Sequence, residues 1–111
     1  MKVYRREHYL QNRDRLIAEN TSRSRDEKTR NIEALRDYLA EHPCVDCGTT
    51  DIRVLEFDHR PDEIKVIDIS RAISAWKWDS VLAEVAKCDV RCRNCHAIIT
   101  QTRGGHFRAS W

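Results

Sequence analysis

Apolar positions in the first 43 residues are sparse and helically spaced. Tyr9, Leu10, Arg13, Leu16 and Ile17 follow a helical period with no Pro or Gly between them, which predicts a helix over residues 3–19. The stripe is thin, so such a helix needs a packing partner. Residues 20–24 (Asn-Thr-Ser-Arg-Ser) break the pattern. Ser24, followed three residues later by Glu27, has the form of a capping box and predicts a second helix. That helix carries Ile32, Leu35, Tyr38 and Leu39 on one face and stops near His42, since Pro43 cannot continue it. The pattern leaves open whether there are two helices or one long bent rod.

Beyond Pro43 the periods shorten. Residues 52–57 alternate and are rich in β-formers, predicting a strand that delivers Asp58 and His59 at its end, before Pro61 breaks pairing. In residues 62–78, Ile64, Val66, Ile67 and Ile69 suggest a short strand and residues 70–75 a turn of helix. Trp76 and Trp78 read as packing residues, with base stacking as the alternative. Asp79 is placed to cap a helix through Lys87 whose Val81, Leu82, Val85 and Ala86 turn inward. Asp89, Val90 and Arg91 form a strand candidate. Residues 93–102 read as a helix carrying Ala97, Ile98 and Ile99, closed by Gly104-Gly105 and followed by a loose tail, residues 106–111. The expected class is α+β, divided into a mixed-charge helical extension (1–42), a compact domain (43–103) and a tail (104–111).

Charge refines this picture. The net charge is only +2, but residues 1–43 carry 10 basic and 8 acidic groups, residues 44–85 carry 5 and 9, and residues 86–111 carry 5 and 1. A basic end beside an acidic middle suits a protein that grips phosphates with one part and holds cations with another; an ordinary solvated surface is the plainer account. The arginines of the first helices (Arg5, Arg6, Arg13, Arg15, Arg23, Arg25, Arg30) either lie along a DNA backbone or solubilise the helices, since acids are interleaved. No apolar run approaches the roughly 20 residues needed to span a bilayer, and the N-terminus lacks the apolar stretch of a signal peptide. A cytoplasmic location is expected.

The chemistry begins with cysteine. Cys44-Val45-Asp46-Cys47-Gly48 and Cys92-Arg93-Asn94-Cys95 are two Cys-x-x-Cys pairs. In a chain expected to stay reduced, four such thiols are a zinc ligand set, and the odd count of five cysteines does not suit a disulfide framework. The leftover Cys88 reads as a small buried residue rather than a competing ligand. The 44 residues between the pairs exceed the roughly 15–20 of a simple zinc ribbon, so something is folded inside the gap. Asp58-His59 ends one element there, and His96 begins another directly after the second pair. A carboxylate oxygen of Asp58 and an imidazole nitrogen of His96 make an open site for a divalent cation. His59 points the other way from an extended backbone and faces substrate.

At these residues the chain resembles the HNH endonucleases, the zinc-bearing branch of the ββα-metal nucleases, in the short form found in bacteriophages and bacteria. Cys44-x-x-Cys47-Gly48, Leu55-Glu56-Phe57-Asp58-His59 and Cys92-x-x-Cys95-His96 carry the resemblance, over roughly residues 42–103. It implies a zinc-stapled ββα-metal core and metal-dependent hydrolysis of DNA, expected to be double-stranded, to 5′-phosphate and 3′-hydroxyl ends. His59 is then the general base, with Asp58 and His96 on one Mg²⁺, Mn²⁺ or similar ion. The family's middle Asn has no counterpart at its usual place; Asn94, ahead of Asp89, is the substitute expected to orient the His59 loop. Arg60, Arg91, Arg93, Arg103 and Arg108 are candidate phosphate contacts. A role beside phage DNA-packaging proteins fits the same resemblance. Two other classes compete: a non-catalytic zinc module that binds nucleic acid, and a thiol redox protein.

Overall fold

The computed structural model describes residues 2–111, with side chains described from Asn12 onward except those of residues 14, 16 and 18–20. Tyr9, Leu10 and Leu16 of the expected stripe, and Arg5 and Arg6, therefore lie outside the described side chains. The N-terminal region is one continuous helix, α1 (Lys2–Glu41). The polar run at residues 20–24 does not stop it, because it holds neither Gly nor Pro and each of its residues costs only a few tenths of a kcal/mol in propensity. Within the run, Thr21 turns its hydroxyl back onto the helix, donating to the Ile17 carbonyl at 2.9 Å, as Thr29 does further on to that of Arg25 at 3.0 Å. Ser24 lies inside the helix, and its capping box is unused. At the far end His42 stacks on Tyr38, ring centroids 3.8 Å apart, and its Nδ1–H donates to the Tyr38 carbonyl at 2.6 Å.

Two antiparallel strands, β1 (Leu55–His59) and β2 (Cys88–Cys92), form the only sheet among the described residues. Leu55 faces Cys92 at one end and His59 faces Cys88 at the other. A short 3-10 turn (Ile52–Val54) leads into β1, so the strand starts later than the alternation suggested and takes in Asp58 and His59. Between the strands lie α2 (Ile69–Ala75) and α3 (Trp78–Val85); α4 (Arg93–Gly104) follows β2 directly. Gly105 closes α4 at φ +65°, a conformation open to glycine at little cost. The last residues are not loose: they form a 3-10 turn (Phe107–Ser110) in which Arg108 lies over the Phe107 and Trp111 rings.

No strand forms over residues 64–69. Ile64 and Val66 are exposed, and Glu84 of α3 with Lys87 just beyond that helix supplies the partners a strand would have needed. Glu84 accepts the Val66 N–H at 3.1 Å and Lys87 donates to the Ile64 carbonyl at 2.9 Å. Helix α3 is also turned from its expected phase. It begins at Trp78 after an N-cap Lys77, with Asp79 in its first turn, where a carboxylate still suits the helix dipole. Its inward positions are Val81, Glu84 and Val85, while Leu82 and Ala86 face out. In α4 the expected apolar face is largely exposed, Ile98 at 63%.

Two small cores meet at the sheet. One gathers Ile69, Ala72, Val81, Val85 and Cys88, with Trp76 and Trp78 packed against it as expected. The other gathers Cys44, Leu55, Val90 and Cys92. Tyr38 and Phe57 touch both, their rings 6.0 Å apart. Leu35, Tyr38 and Leu39 thus make the end of α1 part of the domain that had been expected to begin at residue 43. Asn31, 2% exposed, completes the join by donating to the Ile73 and Trp76 carbonyls at 3.0 and 2.8 Å. The largest fully buried side chains are two valines, a core of the size that commonly needs a metal staple.

Candidate metal centre and adjoining cleft

The ligand atoms of Cys44, Cys47, Cys92 and Cys95 lie within 4.8 Å of one another, the only such group of three or more metal-ligating side chains among the described residues. A tetrahedron with zinc–sulfur bonds of about 2.3 Å has edges of about 3.8 Å, and Cys47 Sγ lies 3.7 Å from Cys92 Sγ. The donor set and its spacing therefore fit a four-cysteine zinc site. Each pair is a turn whose amide faces sulfur: Cys47 N–H donates to Cys44 Sγ at 3.5 Å and Cys95 N–H to Cys92 Sγ at 3.4 Å, the latter also capping α4. Gly48, at φ +77°, completes the first turn, and Val45 N–H bonds the Val90 carbonyl at 2.9 Å, fastening that turn to β2. Burial opposes ionisation of Cys44, but the backbone amides outweigh it and bring its thiol down to about 6. Cys95 is pushed up to about 12, first by its hydrogen bond with Cys92. Cys88 stays out of the cluster as expected; burial and then the Glu84 charge push it up to about 11.

At the other end of the hairpin, β1 divides its side chains between two helices. Asp58, 6% exposed, faces α4, where its Oδ1 lies 3.6 Å from His96 Nε2. Folding thus joins the two residues read as ligands of a catalytic ion. Glu56, two residues earlier on the same strand face, lies 3.3 Å from the other ring nitrogen of His96. Asp58 has cationic company as well. Arg91 Nη1 donates to it at 2.7 Å, and Arg103 Nη1 at 2.9 and 3.0 Å to its two oxygens.

His59 turns to α3 instead. Its Nε2 donates to Glu84 Oε2 at 2.9 Å, both side chains nearly buried. Burial opposes a charge on Glu84, yet Lys87, the Val66 amide and His59 hold its carboxyl down at about 2. No residue of α3 was expected here; the signal available in the sequence was that Val81, Glu84, Val85 and Cys88 share one helical stripe. Asn94 is exposed in the first turn of α4, and among the described residues no hydrogen bond joins it to His59. Asp89 pairs with Arg60 at 3.5 Å and with Arg91 at 3.4 Å. Asp58, His59 and His96 nevertheless line one cleft of about 630 Å³ with Glu56, Lys65 and Asp68, walled by Leu35 and Leu39 of α1 and Ile73 of α2.

The five arginines take different places. Arg91, 9% exposed, is engaged by Asp46, Asp58 and Asp89; burial opposes its charge, and the Asp46 and Asp58 carboxylates more than restore it. Arg60 donates to the Ala86 and Cys88 carbonyls at 2.6 and 3.2 Å, tying the strand end to the α3–β2 turn. Arg91 is thus an internal tie, while Arg60 keeps a third of its side chain exposed. Arg93 is open to solvent beside Glu56, Arg103 is a third exposed, and Arg108 is exposed between aromatic rings. No helix of the described residues is long and apolar enough to cross a membrane. No family model matches the chain, and no curated protein or solved structure matches it significantly.

Proposed function

We propose that this protein is a metal-dependent DNA endonuclease of the HNH type, with His59 as general base. The observation that carries the reading is that Asp58 and His96, from different elements, meet 3.6 Å apart on a cleft that His59 also lines. An oxygen and a nitrogen donor leave most positions of a hard divalent ion to water and phosphate, which is how Mg²⁺ is commonly held. Such an ion, when bound, supplies Lewis acidity at the scissile phosphate and charge compensation at the departing 3′ oxygen. His59 takes the proton of the attacking water. Arg103 exchanges Asp58 for the phosphate, and Arg93 and Arg108 add sequence-independent contacts that weaken with salt. The zinc turns hold β2 and α4 against the first cysteine pair and so keep His96 beside Asp58.

The test is plasmid cleavage with Mg²⁺, with Mn²⁺ and with EDTA, using the wild type and His59→Ala. Cutting that needs the divalent ion and disappears in a folded, zinc-loaded His59→Ala protein supports the reading; undiminished cutting by that variant removes it. One observation favours a second reading, a zinc-stabilised nucleic-acid-binding module without turnover. Arg91 and Arg103 already satisfy both Asp58 oxygens. That reading expects DNA binding and no cleavage with any divalent ion.

A further inference from the structure

We propose that Glu84 is the positioning residue for His59, holding its ring as the Nε2–H tautomer so that Nδ1 is the atom that receives the proton. The role of Nδ1 as base rests on the nuclease reading above; the tautomer rests on geometry alone. Glu84 is 2% exposed and receives three donors. Lys87 Nζ reaches its Oε1 at 2.8 Å, and the Val66 N–H and His59 Nε2 reach its Oε2 at 3.1 and 2.9 Å. A carboxylate paired with an ammonium and a backbone amide has no proton to give, so it can only accept. Nε2 must therefore carry the hydrogen. A neutral imidazole has one N–H, and the lone pair is left on Nδ1.

The same contacts fix the ring in space. Glu84 is anchored to the segment before α2 through Val66 and to the turn between α3 and β2 through Lys87, so the carboxylate does not follow the ring if the ring turns. It supplies from α3 the orienting bond that Asn94 and Asp89 do not make. The step it prepares is balanced: water gives one proton to His59 Nδ1 as its oxygen bonds to phosphorus, and the ring becomes an imidazolium whose Nε2–H still points at an anion. A buried carboxylate beside that ring also favours the charge it gains.

Two measurements test this on the full-length, zinc-loaded protein. Nitrogen-15 spectra of the His59 ring, under conditions where the same spectra show it neutral, should give a protonated signal at Nε2 and an unprotonated one at Nδ1. A neutral ring protonated at Nδ1 overturns the proposal. Glu84→Gln keeps the shape but can donate as well as accept, so the ring should lose its single tautomer. Plasmid cleavage by that variant should fall in kcat by at least about 10-fold and by up to about 10,000-fold, the cost of exchanging a carboxylate for an amide behind a general-base histidine. KM for DNA and zinc content should stay unchanged. Unchanged kcat in Glu84→Gln overturns the proposal while the nuclease reading stands. A wild type that cuts under no condition sinks the nuclease reading and the base role of Nδ1 with it, and the spectra still decide the tautomer.

Discussion

The two ends of the β1–β2 hairpin are built on opposite plans. At the Leu55–Cys92 end, four like ligands come from two short turns, each closed within four residues and each bonding its own sulfur. At the His59–Cys88 end, every important side chain finds its partner on another element: Asp58 on α4 and β2, His59 on α3, and the cleft wall on α1 and α2. The first end is chemically uniform and leaves no ligand position open. The second holds mixed donors, opposed charges and open volume. A staple without vacancy is suited to support, and a mixed, open group to reaction.

The strongest way to break this contrast is to remove the staple. Cys92→Ser, or a strong chelator, should abolish the cooperative thermal unfolding transition, because zinc binding in small domains supplies much of the folding free energy. Cys92 also lies in a core and caps α4. A zinc-free protein that still unfolds cooperatively at the wild-type temperature would show that the two ends are independent.

The cleft end should respond to its stitches. Asn31→Ala strips donors from two carbonyls at the end of α2 and should cost about 1–3 kcal/mol, measured by urea unfolding. A loss within error would mean that water replaces the amide and that the α1–α2 wall is less fixed than it looks.

Acid should separate the ends further. The Glu84 carboxyl sits at about 2 in the fold against 4.5 when free. Its stabilising contribution is therefore complete above about pH 4.5 and lost as pH falls toward 2. Wild type should accordingly lose stability relative to Glu84→Gln across that window, read by paired unfolding curves. Parallel curves would remove the assigned charge.

The smallest effect is expected at Arg103, a third exposed and paired with Asp58. Asp58 is buried but keeps Arg91 as a partner when Arg103 is removed, so the loss should be about 1 kcal/mol. Arg103→Ala should cost no more stability than that while tightening Mn²⁺ binding by up to about fivefold, read by calorimetry. Unaltered Mn²⁺ affinity would mean that the ion does not compete with this guanidinium at Asp58.

What the sequence determined by itself was local. The Cys-x-x-Cys spacing sets each metal turn, because three residue steps of backbone, closed as a tight turn, place two thiols within reach of one ion whatever lies around them. The closing Gly105, the stop at Pro43, the existence of a strand leading to Asp58 and His59 (though not its bounds) and the alternation that sends those two to different sides follow from nearest-neighbour sterics in the same way. Tertiary structure decided the rest. Whether residues 20–24 stop a helix depends on a balance of tenths of a kcal/mol, and here the helix continues. Residues 64–69 looked like a strand because they are apolar, but Glu84 and Lys87 offer side-chain partners where no strand is available. Glu84 illustrates the limit most clearly. A carboxylate is an improbable inward residue until Lys87, Val66 and His59 are brought around it, and only a chain folded in three dimensions brings them together. Likewise, Arg91 and Arg103 are cations open to any anion when read along the chain; folding places Asp58 in front of both.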